Sequence, residues 1–507
     1  MSRTARAVLG LVALLAVSML PACGIRPAIA DRGSDTLVVD LTSYPATLDP
    51  AHQYDTSSYS VYRNIFDQLL RRDPRTNKIV PWLAKSWHQD SPTRWTFAMR
   101  GGVKFSDGSP LTAEDAAYSI ERILDPKFGS EQFANFSAID SAHASGDNLV
   151  VRTKFPSPTL LSYLTTLSVV PKAYVRKVGD EEFNKHPVGS GPYQVAAVSA
   201  GSQIVLRRNP KWWRPRPQIR AVTFRSVPNV ASKAADLQAR KADIITTLTP
   251  DIADQVKRDP KLRILSTPTE RVSYVAFNTI HGGAVNDPRV RKAIALSIDY
   301  RSLIANLQRD FAKRVNSVLT PLSTGYPKNL PATSYDPARA RRLLRAAHAS
   351  GATIVMANSP AYDPQTVQAI QANLADVGLK VKIENTDQPT YLKKVQSPDH
   401  KWGSMRFGNW SCSCLDADGV AYPLFRTGSV WSSYHNPAFD HIVDSARTTD
   451  DPAERTRLYE RAYQVLARDT PGIGLFQSYA IYGALDRVKW KPDVQESFFV
   501  ADMKVTS

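Results

Sequence analysis

Trp95-Thr96-Phe97-Ala98-Met99-Arg100-Gly101-Gly102-Val103-Lys104-Phe105-Ser106-Asp107-Gly108-Ser109-Pro110-Leu111-Thr112-Ala113-Glu114-Asp115 carries three local structures in one run. Trp95, Phe97 and Met99 alternate with Thr96 and Ala98, the period of a half-buried strand. Asp107-Gly108 then marks a turn. Thr112 and Asp115 stand at capping-box spacing, where a hydroxyl and a carboxylate can satisfy the free N–H groups of a helix start. Ala116, Ile120, Ile123 and Leu124 follow on one apolar face, so a helix is predicted after Thr112.

The same alternation of elements extends in both directions. Residues 37–41 form an apolar first strand. Three further helices open on Asp-Pro, at Asp287-Pro288, Asp336-Pro337 and Asp451-Pro452. Asp caps exposed N–H groups, and Pro fits the first turn because its missing N–H would have no partner there. Short strands at 274–277 and 380–383 lie between helices. Strands alternating with helices over 507 residues indicate an α/β protein of several domains.

The N-terminus points outside the cytoplasm. Arg3 and Arg6 precede an uncharged apolar run at 7–20, too short for a membrane span of roughly 20 residues. That is the layout of a secretory signal. Leu20-Pro21-Ala22-Cys23 resembles the lipobox of bacterial lipoproteins. The resemblance implies a signal peptide over 1–22, a diacylated Cys23 as first mature residue, and a linker over 23–36. Two acyl chains anchor a protein stably. The expected place is extracytoplasmic, at the outer face of the cytoplasmic membrane or in the periplasm. The formal charge is +17, but Lys and Arg are spread along the chain without a basic run. This fits a solvated surface facing anionic lipid better than a nucleic-acid site. Of the three Cys, Cys412 and Cys414 remain to form a possible disulfide in an oxidising compartment.

The run from Trp95 to Asp115 resembles the signature of family 5 extracellular solute-binding proteins, the receptors of peptide and nickel ABC importers. Val188-Gly189-Ser190-Gly191-Pro192-Tyr193, Arg208-Asn209-Pro210-Lys211-Trp212-Trp213, Phe277-Asn278-Thr279 and Asn436-Pro437-Ala438-Phe439-Asp440 resemble further blocks in the family's order. Membership implies an α/β, two-lobed periplasmic-binding-protein-like fold with an extra inserted domain in lobe one. Lobe one is expected over 37–57, 186–273 and the tail 485–507. The insertion is expected at 58–185 and lobe two at 274–484. It further implies a monomer that holds a peptide or peptide-like solute between the lobes and delivers it to ABC permease subunits. No cofactor is implied.

Asn409-Trp410-Ser411-Cys412-Ser413-Cys414-Leu415-Asp416-Ala417-Asp418-Gly419 resembles the family's cleft loop. In peptide-binding relatives an Asp three residues after the Trp meets the peptide's ammonium. Here Ser413 stands at that position. Asp416 or Asp418 would then have to supply the anion, or the ligand lacks a free amine. Both Asp residues also suit plain turn formation. Trp410 is a candidate to stack on the ligand, and Arg406 to clamp a carboxylate. Tyr44 and Asn278 follow strands, where open α/β sheets bind ligands. Tyr422, Trp431 and Tyr434 are weaker aromatic candidates.

Three rivals remain at this level. A non-peptide solute, such as an opine-like conjugate or sugar derivative, is one. A metal or chelate receptor would use Cys412, Cys414, His435 and His441, a soft ligand set. A secreted enzyme is disfavoured: no His-Glu-x-x-His or phosphate loop is present, and Gly189-Ser190-Gly191 lacks the spacing of a nucleophile elbow. For the anchor, Cys23→Ala is expected to abolish labelling by radioactive palmitate. A variant that still takes the label would place the anchor elsewhere.

Overall fold

The computed structural model describes residues 33–52 and 55–506. Cys23 and the expected signal lie outside them. The signature folds as its periodicity dictates. Arg94–Met99 is an inner strand of a four-stranded antiparallel sheet, in the order Ala84–Ser91, Arg94–Met99, Asn148–Thr153, Ile139–Ser145. Helix Ala113–Leu124 covers it, with Phe97, Ile120 and Leu149 in one buried cluster. The Asp115 carboxylate accepts from the Thr112 N–H at 2.8 Å and from its hydroxyl at 2.9 Å.

The larger sheet runs through both lobes. From one edge it passes Lys380–Asn385, Thr353–Asn358 and Met405–Trp410 to two long strands, Leu262–Phe277 and Gly472–Leu485. It continues through Ile244–Ile245, Thr36–Leu41 and Ala221–Ser226 to the hairpin Gln203–Arg208 and Tyr193–Ser199. The long pair is antiparallel, and its register shifts between Pro268 and Val272. Pro cannot donate to the ladder, and extra residues on one strand bend and twist it. Before the shift the pair adjoins the first lobe's strands; after it, the second's. Each lobe has its own core, one around Leu37, Phe66 and Phe224, the other around Val275, Ile294 and Met356. The architecture is thus a two-lobed mixed α/β fold with a small additional antiparallel sheet.

The Asp-Pro helices form as read. Asp287 accepts from the Arg289 N–H, Asp336 from Arg339, and Asp451 from Ala453 and Glu454, all at 2.7–2.8 Å. Asp363-Pro364 carries the same signal and opens Pro364–Asp376.

Two of the sequence blocks turn out to be one packing device. A Cβ on Gly189 or Gly191 would sit 2.1 or 2.7 Å from the Ile65 carbonyl oxygen, so the backbones can pass only where glycine stands. This brings Ser190 to the buried Asp67 carboxylate, which accepts from the Ser190 hydroxyl (3.1 Å) and the indole N–H groups of Trp82 (2.8 Å) and Trp213 (2.9 Å). Burial raises the Asp67 pKa, and the three donors oppose the shift. Asp67→Ala leaves three donors to find new partners, at about 1–3 kcal/mol each. Urea unfolding is therefore expected to show a loss of about 3 kcal/mol or more; a loss under 1 kcal/mol would refute this role.

Candidate functional site

The loop between strand Met405–Trp410 and helix Asp418–Phe425 faces the inserted domain. A disulfide joins Cys412 to Cys414 and tightens it. Gly419 is required beneath: a Cβ there would lie 2.1 Å from the Cys412 sulfur. The Gly419 carbonyl accepts from the Trp410 indole N–H at 2.9 Å, and Trp410 meets Trp431 edge-on. Its ring is therefore fixed from two sides.

Asp416 is buried and bound bidentately by Arg455 of helix Pro452–Asp469, at 2.7 and 2.6 Å. It also accepts the Asp418 N–H. Asp418 accepts from the Tyr459 hydroxyl at 3.2 Å and lies 3.6 Å from the Arg447 guanidinium. Burial raises the Asp418 pKa, and Arg447 opposes it. The expectation that either Asp meets a ligand's ammonium is therefore revised, because Arg455 and Arg447 already supply their counter-charges. Both residues instead hold the loop against the helices of the second lobe.

The inserted domain reaches this loop directly. Arg72, from strand Leu70–Arg72, donates to the Cys414 carbonyl at 3.3 Å, and also to Ser162 and Asn77. The Tyr163 hydroxyl lies 3.9 Å from the Cys412 sulfur. Arg447 sits over the Phe155 ring, and Gln89 donates to Asp450. Burial raises the Tyr163 pKa, with Asp418 and Asp416 adding to the effect. Burial lowers that of Arg72, against Glu270 and Asp416.

Glu270 stands at the register shift of the crossing strand, between the lobes. Its Oε2 atom is buried and accepts no hydrogen bond, and no cation forms an ion pair with it among the described residues. The residue as a whole is half-buried. Burial pushes its carboxyl up to about 8; Glu496 adds to this, while Arg271, Arg72 and Arg63 oppose it. No motif marks Glu270 in the sequence. The Pro268 just before it is the one hint of a broken ladder.

Two lobes that share one sheet, with a disulfide-bonded loop of the second held against the inserted domain, have the arrangement of a solute trap. The model of the bacterial extracellular solute-binding proteins, family 5 Middle, matches residues 78–432. The chain belongs to this family. It is a substrate-binding protein of ABC transport, and its task is capture rather than catalysis. It is 28% identical over 452 residues to the peptide transport periplasmic protein SapA of Salmonella typhimurium, covering 82% of this chain and 81% of that protein. It is 27% identical over 485 residues to the glutathione-binding protein GsiB of Escherichia coli O157:H7, covering 92% of each. Among solved structures it is similar to the periplasmic binding protein DppA of Helicobacter pylori in complex with the peptide STSA. There the TM-score is 0.79 and the identity 26%, with 93% of this chain and 98% of that one covered.

The other sequence candidates fall into different parts of this family 5 receptor. Arg406 is 1% exposed beneath the rings of Tyr274, Trp402 and Trp431, and donates to the Tyr274 hydroxyl and the Trp431 carbonyl. No surface remains there for a ligand's carboxylate, so its clamp role is revised. Asn278 is buried; it donates to the carbonyls of His400 and Gly403 and accepts from Ile280 and His281, which fixes a loop of the second lobe. Tyr434 is core, bonded to Asp469. Ser413, Trp431 and Tyr422 are half-buried around the loop, and Tyr44 is half-buried at the end of the first strand. The disulfide takes both sulfurs from the rival soft-metal set. The described residues hold no helix long and apolar enough to cross a membrane. Because removing one member of a buried pair strands the other, Asp416→Asn is expected to cost about 3 kcal/mol in chemical unfolding. An unchanged midpoint and slope would refute the anchoring role of Asp416.

Proposed function

We propose that this receptor captures a peptide or peptide-like solute between its lobes, outside the cytoplasmic membrane and tethered there by lipid on Cys23, and passes it to the permease of an ABC importer. The observation that carries the proposal is the meeting of three elements between the lobes. The disulfide-bonded loop of the second lobe, Arg72 and Tyr163 of the inserted domain, and Glu270 of the crossing strand come together there. Two further facts support peptide as the class: the full-length likeness to SapA, a peptide transport protein, and GsiB, a glutathione-binding protein, and that to DppA solved with a peptide.

Ligand that binds the folded form stabilises it by mass action, by about 2.7 kcal/mol at a hundredfold excess over Kd. A thermal-shift screen of tripeptides, reduced glutathione, opine-like conjugates, sugars and metal chelates is expected to raise Tm with peptides or glutathione. Solution scattering is expected to show compaction with the same compounds. A rise with sugars or chelates alone would overturn the peptide class, and a bound solute that leaves the radius of gyration unchanged would overturn lobe closure.

A further inference from the structure

We infer that Glu270 is the residue that receives the free ammonium of the captured solute, an inference that rests on the peptide-like reading of the cleft. The other carboxylates near the loop and the crossing strand already have partners. Asp416 is bound by Arg455, and Asp418 by Tyr459 and Arg447. Glu496 pairs with Arg271 at 2.9 Å. Asp493 accepts the N–H groups of Gln495 and Ser497. Glu270 alone of this set keeps a buried oxygen without a hydrogen-bond partner among the described residues.

Among the described residues the nearby cations form no hydrogen bond or ion pair with Glu270. Arg72 donates to Asn77, Ser162 and Cys414; Arg271 to Glu496; Arg63 to Ser497. A carboxylate removed from water without a partner is costly, and a cation brought by the solute removes that cost. The place is also apt. Glu270 lies on the crossing strand where the ladder breaks, so a charge bound there is held at the junction that closing lobes enclose. With Ser413 in the loop and Asp416 and Asp418 neutralised, the anion for an amine lies on the strand rather than the loop. The selectivity that follows is for a free amine, with N-acylated solutes rejected.

A pH signature accompanies this role. The groups facing Glu270 are Arg72 from its strand, Arg63 after helix Thr56–Tyr62, Arg271 beside it, Glu496 from the C-terminal tail and Tyr163 of the inserted domain. With its carboxyl pushed up to about 8, Glu270 is mostly protonated in the empty cleft at pH 6–7. An arriving ammonium ionises it, and the proton goes to solvent. Affinity for amines therefore rises with pH in this window, by up to about tenfold from pH 6 to 7, as linkage requires. In the empty protein the raised pKa has the opposite sense. The folded state holds a proton that the unfolded state loses, so stability falls as pH rises from about 4.5 to about 8.

The test uses the mature protein freed of bound solute. An equimolar tripeptide library and its N-acetylated twin are passed over it, and the retained peptides are read by mass spectrometry. Titration calorimetry of the best-retained tripeptide follows. The parent is expected to retain free-amine peptides and leave the acetylated ones. Glu270→Gln is expected to lose at least about 30-fold in affinity and all of the pH 6–7 dependence, with Glu270→Asp intermediate. Its Tm at pH 8 without peptide is expected to equal or exceed the parent's. A Gln variant that binds as tightly as the parent, or equal retention of both libraries by the parent, overturns the role of Glu270 while leaving peptide capture intact. A lower Tm for Glu270→Gln would mark a structural partner and also overturn it. Retention of neither library overturns the peptide reading, and this inference with it.

Discussion

The backbone ladder between Leu262–Phe277 and Gly472–Leu485 is the constraint on which the rest of the molecule depends. These two strands are hydrogen-bonded to each other on both sides of a stretch where the register shifts twice, between Pro268 and Val272 and between Ser273 and Tyr274. The first lobe attaches to one half through Ile244–Ile245, and the second to the other half through Met405–Trp410. A β ladder is stiff along its length and compliant where pairing is interrupted, so the break fixes both the axis between the lobes and the floor of the cleft. Glu270 sits on that floor, within the first of the two shifts.

Above the floor, rigidity comes from buried carboxylates whose hydrogen-bond partners are built in. Arg455 holds Asp416 with two short bonds inside the second lobe, and Asp67 gathers two tryptophans and a serine inside the first. Isolated ions are costly in such places, and their partners repay that cost only in one geometry. Each pair thus acts as a registry pin for helices or loops that meet at the cleft. The same physics separates the anchors from the binding groups: a carboxylate with its counter-charge built in shapes the site, and one without it waits for a ligand's.

What the sequence made legible was local. The strand at 94–99, the capping box at Thr112 and the Asp-Pro helix starts depend on neighbours within a few residues, and all appear in the structure. The family's blocks led to the two-lobed architecture. The site was less legible, because partners there are distant in sequence. Arg455 lies 39 residues from Asp416, and Arg406 disappears under Trp402 and Trp431 rather than facing the cleft. Glu270 shows no periodicity, turn or spacing; only its lack of a hydrogen-bond partner among the described residues singles it out. The meeting of Cys412 with Tyr163, 249 positions apart, is likewise a fact of topology alone.

The position of the second crossing strand also governs the order in which the molecule can be assembled. Ile244–Ile245 pairs with residues 483–484, and Leu262 with Leu485. A chain emerging from the ribosome N-terminus first has no partner for these edges until nearly all of it has been made. Long-range strand pairing is intrinsically late and slow. The first lobe's sheet therefore stays open through most of synthesis: the strand that completes it, Gly472–Leu485, is among the last pieces of the chain to be made, so closure of this lobe waits on the C-terminal end.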